Sequence, residues 1–126
     1  MPFSTGPIEN VGNQPTNANI ARVKILNRTA GPLTGVVRSF RLDGTRTLIE
    51  QRNFNVAANA SAFVNLSVVH STLGQALQYE VEIVPNQNGG LYSVYGITPG
   101  DVIITAQRVL NSELTQILYF QKDLLK

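Results

Sequence analysis

Residues 77–83, Leu77-Gln78-Tyr79-Glu80-Val81-Glu82-Ile83, alternate apolar and polar side chains without a break. Successive residues of an extended strand point to opposite faces. The run therefore lays Leu77, Tyr79, Val81 and Ile83 on one side and Gln78, Glu80 and Glu82 on the other, as a half-buried strand requires. Ala62, Val64, Leu66 and Val68 repeat the pattern. Working outward, eight runs read as strands: 20–27, 36–42, 47–56, 60–69, 77–84, 91–97, 102–110 and 114–120. In the last, Leu114, Leu118 and Phe120 share a face with Gln116. The stretch 102–105 (Val-Ile-Ile-Thr) is continuous, so this strand is expected to be covered on both faces.

The separators carry turn chemistry. Gly31-Pro32 follows the first run, and Asp43-Gly44 and Asn88-Gly89-Gly90 supply the positive φ that hairpins demand. Thr98-Pro99-Gly100-Asp101 has the type II pattern, Pro then Gly at the two central positions. Residues 71–76 could form a single helical turn. A three-residue loop at Asp43-Gly44-Thr45 would set Phe40 opposite Leu48 and Arg38 opposite Glu50, both favourable cross-strand pairs. A two-residue loop would instead oppose Arg41 and Arg46.

Short antiparallel strands punctuated this way mean a β-sandwich or a closed barrel. The expected fold is all-β, an eight-stranded antiparallel jelly-roll sandwich with an extended N-terminal arm. An immunoglobulin-like sandwich ranks second, since that fold usually buries a Trp and this chain has none. The expected core is Val23, Ile25, Phe40, Val64, Leu66, Tyr79, Val81, Ile83, Ile104 and Leu118, in a domain expected to fold without the leader.

The first nineteen residues differ from the rest. MPFSTGPIENVGNQPTNAN holds three of the six prolines, four asparagines and one charge, Glu9, with no apolar period. It reads as a flexible connector arm over 1–19, ahead of a β-sandwich domain over 20–120 and a short tail over 121–126. A segment this polar cannot bury enough surface to fold alone. Its isolated apolar residues Phe3, Ile8 and Val11 read as anchors that dock onto something, the expected partner being a neighbouring copy of the chain. Sixteen to nineteen extended residues span up to ~60 Å, ample to reach the next domain.

Composition removes most other classes of function. Of 126 residues, 43% are hydrophobic and only 14% charged, so neutral hydrogen-bonding side chains fill the polar positions and repel neighbours weakly. The net charge of +2 is spread along the chain. Its densest basic stretch, Arg38, Arg41, Arg46 and Arg52, is interrupted by Asp43 and Glu50, and no nucleic-acid footprint is expected. There is no cysteine, which excludes disulfides and thiolate sites. No run approaches the ~18 apolar residues of a membrane helix, and no secretory signal opens the chain. The Asn-x-Ser/Thr triplets at Asn27, Asn59 and Asn65 read as coincidental.

Catalytic residues are not expected. His70 is alone and reads as structural or surface. Glu80 and Glu82 share a strand face at a spacing that could suit a glycosidase pair or a loose calcium site, but any solvent-facing strand looks the same. Tyr79 falls on an apolar face, and Tyr92 and Tyr95 lie on opposite faces, so no stacking platform is expected. Gly89-Gly90 lacks the spacing and lysine of a phosphate loop. Neither a metal nor a cofactor is expected.

A proline- and asparagine-containing leader followed by turn-punctuated strands, from ARVKILN to LTQILYF, resembles the fibre subunits of bacterial endospore appendages. The resemblance implies a jelly roll that polymerises head to tail, its N-terminal connector reaching into a neighbouring subunit, with an anchoring protein at the fibre base. It also implies a spore- or cell-surface location reached by lysis of the mother cell. Better-known members place cysteines in the connector; residues 1–19 here hold none, which implies a non-covalent, thin-fibre type. Two alternatives stay open: a soluble lectin-like or adaptor module, and a capsid or phage jelly roll that closes into shells or rings.

Overall fold

A computed structural model of the chain describes residues 2–12 and 16–117. In chain order the strands are β1 (Phe3–Ser4), β2 (Ile8–Glu9), β3 (Ile20–Asn27), β4 (Leu33–Arg41), β5 (Thr47–Val56), β6 (Ser61–Ser67), β7 (Val69–His70), β8 (Gly74–Gln75), β9 (Gln78–Pro85), β10 (Gly90–Ile97), β11 (Ile103–Val109) and β12 (Thr115–Gln116). The fold is all-β and antiparallel. One sheet runs β12-β1-β9-β4-β5, with β2 also on β9, and the other runs β11-β10-β3-β6. The small β7–β8 hairpin stands apart and occupies the place of the helical turn expected over 71–76.

The alternation that suggested strands also makes the core. Tyr79, Val81 and Ile83 of β9, Leu33 and Val37 of β4 and Phe54 and Val56 of β5 face inward. They meet Ala21, Val23 and Ile25 of β3, Tyr92 and Val94 of β10 and Leu66 of β6. Gly35 lies beneath the Phe54 ring, where a Cβ would stand 2.5 Å from the Val84 carbonyl oxygen and 2.6 Å from Phe54 Cζ. At one end Asn27, fully buried, donates through Nδ2 to the Gly31, Val56 and Ala57 carbonyls, while its Oδ1 accepts from Thr29. One amide thus ties the end of β3 to the end of β5.

Several expectations change. Strands beyond the eight runs appear in the leader and at β7–β8. Val64 and Ile104 are only partly buried against the core, and Leu118, with the rest of 118–126, lies outside the described residues. Phe40 is buried, but on the outer face, where the Arg46 guanidinium lies 3.5 Å above its ring. Phe40 does oppose Leu48; a bulge between Ser39 and Phe40 then moves Arg38 opposite Gln51 and Ser39 opposite Glu50. Arg38 compensates by bonding Gln51 Oε1 at 2.7 Å and Glu82 at 2.9 Å.

The stretch 102–105 is not covered on both faces: Val102 and Ile103 are 60% and 52% exposed, because they open an edge strand at a hairpin tip. That turn is not type II either. The positive φ falls on Asp101 (64°) rather than Gly100, and Thr98 N–H bonds the Val102 carbonyl at 2.9 Å. This is the three-residue hairpin that ends in a left-handed residue. Leu77 also leaves the inner face, 50% exposed just before β9 begins.

Candidate functional site: the leader and its slot

The leader lies in a strand position between β9 and β12 of its own chain. Phe3 is opposite Ile83 on one side and Gln116 on the other; Ser4 is opposite Glu82 and Thr115. Farther along, Ile8 opposes Tyr79 and Glu9 opposes Gln78. The register slips by one residue between the two pairings, and Thr5-Gly6-Pro7 absorbs it, with Gly6 at φ 68°. Thr5 still engages the sheet: its N–H donates to the Val81 carbonyl at 3.1 Å, and its Oγ1 accepts from Val81 N–H at 3.0 Å. Ile117 N–H donates to the Pro2 carbonyl at 2.8 Å. A sheet edge with unpaired backbone groups is satisfied by an added strand, and the leader meets that need without an apolar period of its own.

The three residues singled out in the leader have different fates. Ile8 is 6% exposed and belongs to the core cluster. Phe3 packs against that cluster with its ring 5.9 Å from the Tyr92 ring. Val11 is 62% exposed and is not part of that cluster. The structure brings Phe3 and Ile8 together along β9 and leaves Val11 outside.

Asn10, which sequence reasoning missed, holds the leader most firmly. It is fully buried. Its Nδ2 donates to the Ala18 and Ala76 carbonyls, both at 3.0 Å, and its Oδ1 accepts from Ala18 N–H at 2.8 Å and Gln107 Nε2 at 2.8 Å. Gln107 Oε1 in turn accepts from the Tyr79 hydroxyl at 2.7 Å. A short polar side chain is tolerated in a core only when its donors and acceptors are matched, and here every one is. Gln107 reaches the amide because β11 carries extra residues between Ile104 and Arg108 relative to its β10 partners. Gly96 leaves it room: a Cβ there would stand 2.1 Å from Gln107 Oε1. An Asn between Glu9 and Val11 gives no periodic signal, so only its isolation between two exposed neighbours could have marked it.

The outer face of the same sheet holds charge. Arg46 bonds Glu80 at 2.7 Å and approaches Glu82 at 3.7 Å, while Arg38 pairs with Glu82 at 2.9 Å. Ser4 Oγ also donates to Glu80. The two carboxylates are thus neutralised by arginines and the leader. His70 Nδ1 accepts the Thr72 and Leu73 N–H groups, which closes the β7–β8 turn. Burial pushes the Tyr92 phenol up to about 12 and raises that of Tyr79 as well. Among the described residues no cluster of His, Cys, Asp and Glu could hold a metal, and no helix is long and apolar enough to cross a membrane.

No family model, curated protein or solved structure compared with this chain matches it.

Proposed function

We propose that this chain is a structural subunit that assembles head to tail into a non-covalent fibre of the endospore-appendage kind, its leader filling the slot of a neighbouring copy. The observation that carries the reading is the way the leader is held. It occupies a strand position through backbone pairing, one buried isoleucine and one fully bonded asparagine. Every contact that seats it on its own β9 is available in identical form on the next copy. Exchange of an identical element is a low-cost route to association, and a contact that does not close on itself propagates as a filament.

The winding supports a jelly-roll reading of the fold. β3 and β4 lie in different sheets, and so do β5 and β6 and β9 and β10; each two-strand ribbon crosses between the sheets while pairing with the β3–β4 ribbon. Because Cys is absent, assembly does not depend on redox state.

The test is electron microscopy of the full chain beside one lacking residues 1–12. The full chain forms filaments and the truncated one does not. A synthetic peptide of residues 2–12, added to the truncated chain, restores its cooperative unfolding without restoring filaments. Filaments from the truncated chain, or closed rings or permanent monomers from the full one, overturn the proposal.

A further inference from the structure

Among the described residues, ten of the eleven large apolar side chains that stand exposed fall into two groups at opposite ends of the sandwich. Val11, Val69, Leu73, Leu77, Val102 and Ile103 occupy the end where the leader turns back. Backbone bonds gather them there: Asn10 to Leu77, Val68 to Asn19, Asn19 to Ile97 and Ala76 to Val68. Leu26, Phe63, Leu91 and Leu110 form the second group, on the far half of the outer face of the β3/β10 sheet. Leu26 is cross-strand from Leu91, and Phe63 is cross-strand from Lys24. They line an open groove of about 730 Å³. Contiguous apolar patches of this kind mark interaction surfaces.

Charge matches the two ends. Asp43, Glu50, Glu80, Glu82 and Asp101 each hold an arginine, and Glu113 accepts the Leu110 N–H. Among the described residues Glu9 is the carboxylate left without a partner, and it flanks Asn10 on the exposed side with Val11. Lys24, in the groove, likewise has no ion pair among the described residues.

We infer that the leader end of one subunit, made of its own Leu77 and of Glu9 and Val11 of the leader seated in its slot, docks in this groove of the next copy, Val11 and Leu77 against Leu26, Phe63 and Leu91, with Glu9 facing Lys24. The partner is a second copy because the complementary patch and charge are on the same chain at the opposite end. The two surfaces differ, so the contact is heterologous and leaves a free end at each step. This rests on the head-to-tail reading above and supplies the domain-to-domain contact that an arm alone lacks: an extended segment loses part of its binding energy to ordering.

The test compares the critical concentration for assembly, by sedimentation and electron microscopy, across variants whose fold is checked by circular dichroism. Phe63→Ser and Val11→Ser each raise it by about tenfold or more, as the loss of one buried side chain implies. Lys24→Glu and Glu9→Lys each raise it, and the two together bring it back toward the wild-type value. Full-length wild-type chain that never assembles overturns both the fibre reading and this contact. Wild-type filaments with all four single variants unaffected, or a double charge reversal that fails to rescue, overturn this contact alone.

Discussion

Replacing Asn10 with alanine separates a held leader from one that merely lies on the surface. The change removes four side-chain hydrogen bonds at 2.8–3.0 Å. The Ala18 carbonyl keeps the Gln75 amide as a donor. Ala18 N–H, the Ala76 carbonyl and Gln107 Nε2 lose their partner in a buried region. Orphaned buried groups cost about 1–3 kcal/mol each, so three of them set a range of about 3–9 kcal/mol, and relaxation of the site into the vacated space puts the expected loss in its lower half, about 3–6 kcal/mol. That is a large part of the ~5–15 kcal/mol by which a domain is stable. At this chain length the melting temperature should fall by about 10–25 °C. The assay is thermal and urea unfolding of dilute monomer by circular dichroism, with hydrogen exchange at the amides of Thr5 and Asn10 read in parallel. Asn10→Asp keeps the acceptors but deletes both donors, and should be no better tolerated at neutral pH. A loss below about 1 kcal/mol, with both amides still protected, would refute the reasoning.

Other outcomes follow from the packing. Gly35→Ala should cost about 2–3 kcal/mol in urea unfolding, since its Cβ would meet the Val84 carbonyl and the Phe54 ring, and backbone cannot step aside. Tyr92→Phe should leave stability unchanged or raise it by about 1 kcal/mol, because among the described residues the buried hydroxyl has no hydrogen-bond partner while the ring keeps Phe3 and Phe54. The phenol pKa values of Tyr79 and Tyr92 are raised on folding, so the folded state holds their protons more tightly. Stability should therefore be level below pH ~10 and fall as pH climbs toward ~12. Urea midpoints across that range should show a shallower fall for Tyr92→Phe, and an unchanged slope would count against the burial of that phenol.

The strands were legible because period-2 alternation is set by the same geometry that fills the core. Residues 20–27 and 47–56 were bounded correctly from their sequence alone. Features that depend on the third dimension were not legible. The bulge at Ser39/Phe40 leaves no mark in the alternation of residues 36–42, yet it decides which residue Arg38 faces across the sheet. The exposure of Val102 and Ile103 turns on β11 being an edge. The leader was the hardest case: its composition argues against self-folding, yet backbone pairing with β9 and one matched amide need no apolar period. Phe3 and Ile8 stood out as apolar residues in a polar segment; Asn10 did not, because its role is created by Gln107, ninety-seven residues away.

Whether the leader fills its own slot or a neighbour's can be read with cysteines, since the chain has none. Ser4 and Thr115 are direct cross-strand partners, close enough in an antiparallel pair for a disulfide. One preparation carries Ser4→Cys, a second carries Thr115→Cys, and the two are mixed under assembly conditions, oxidised and run on a non-reducing gel. The account predicts a covalent heterodimer from the mixture, and a ladder of covalent polymers from a chain bearing both substitutions. A mixture that yields no heterodimer, beside a double variant that runs as an internally bridged monomer, would contradict it.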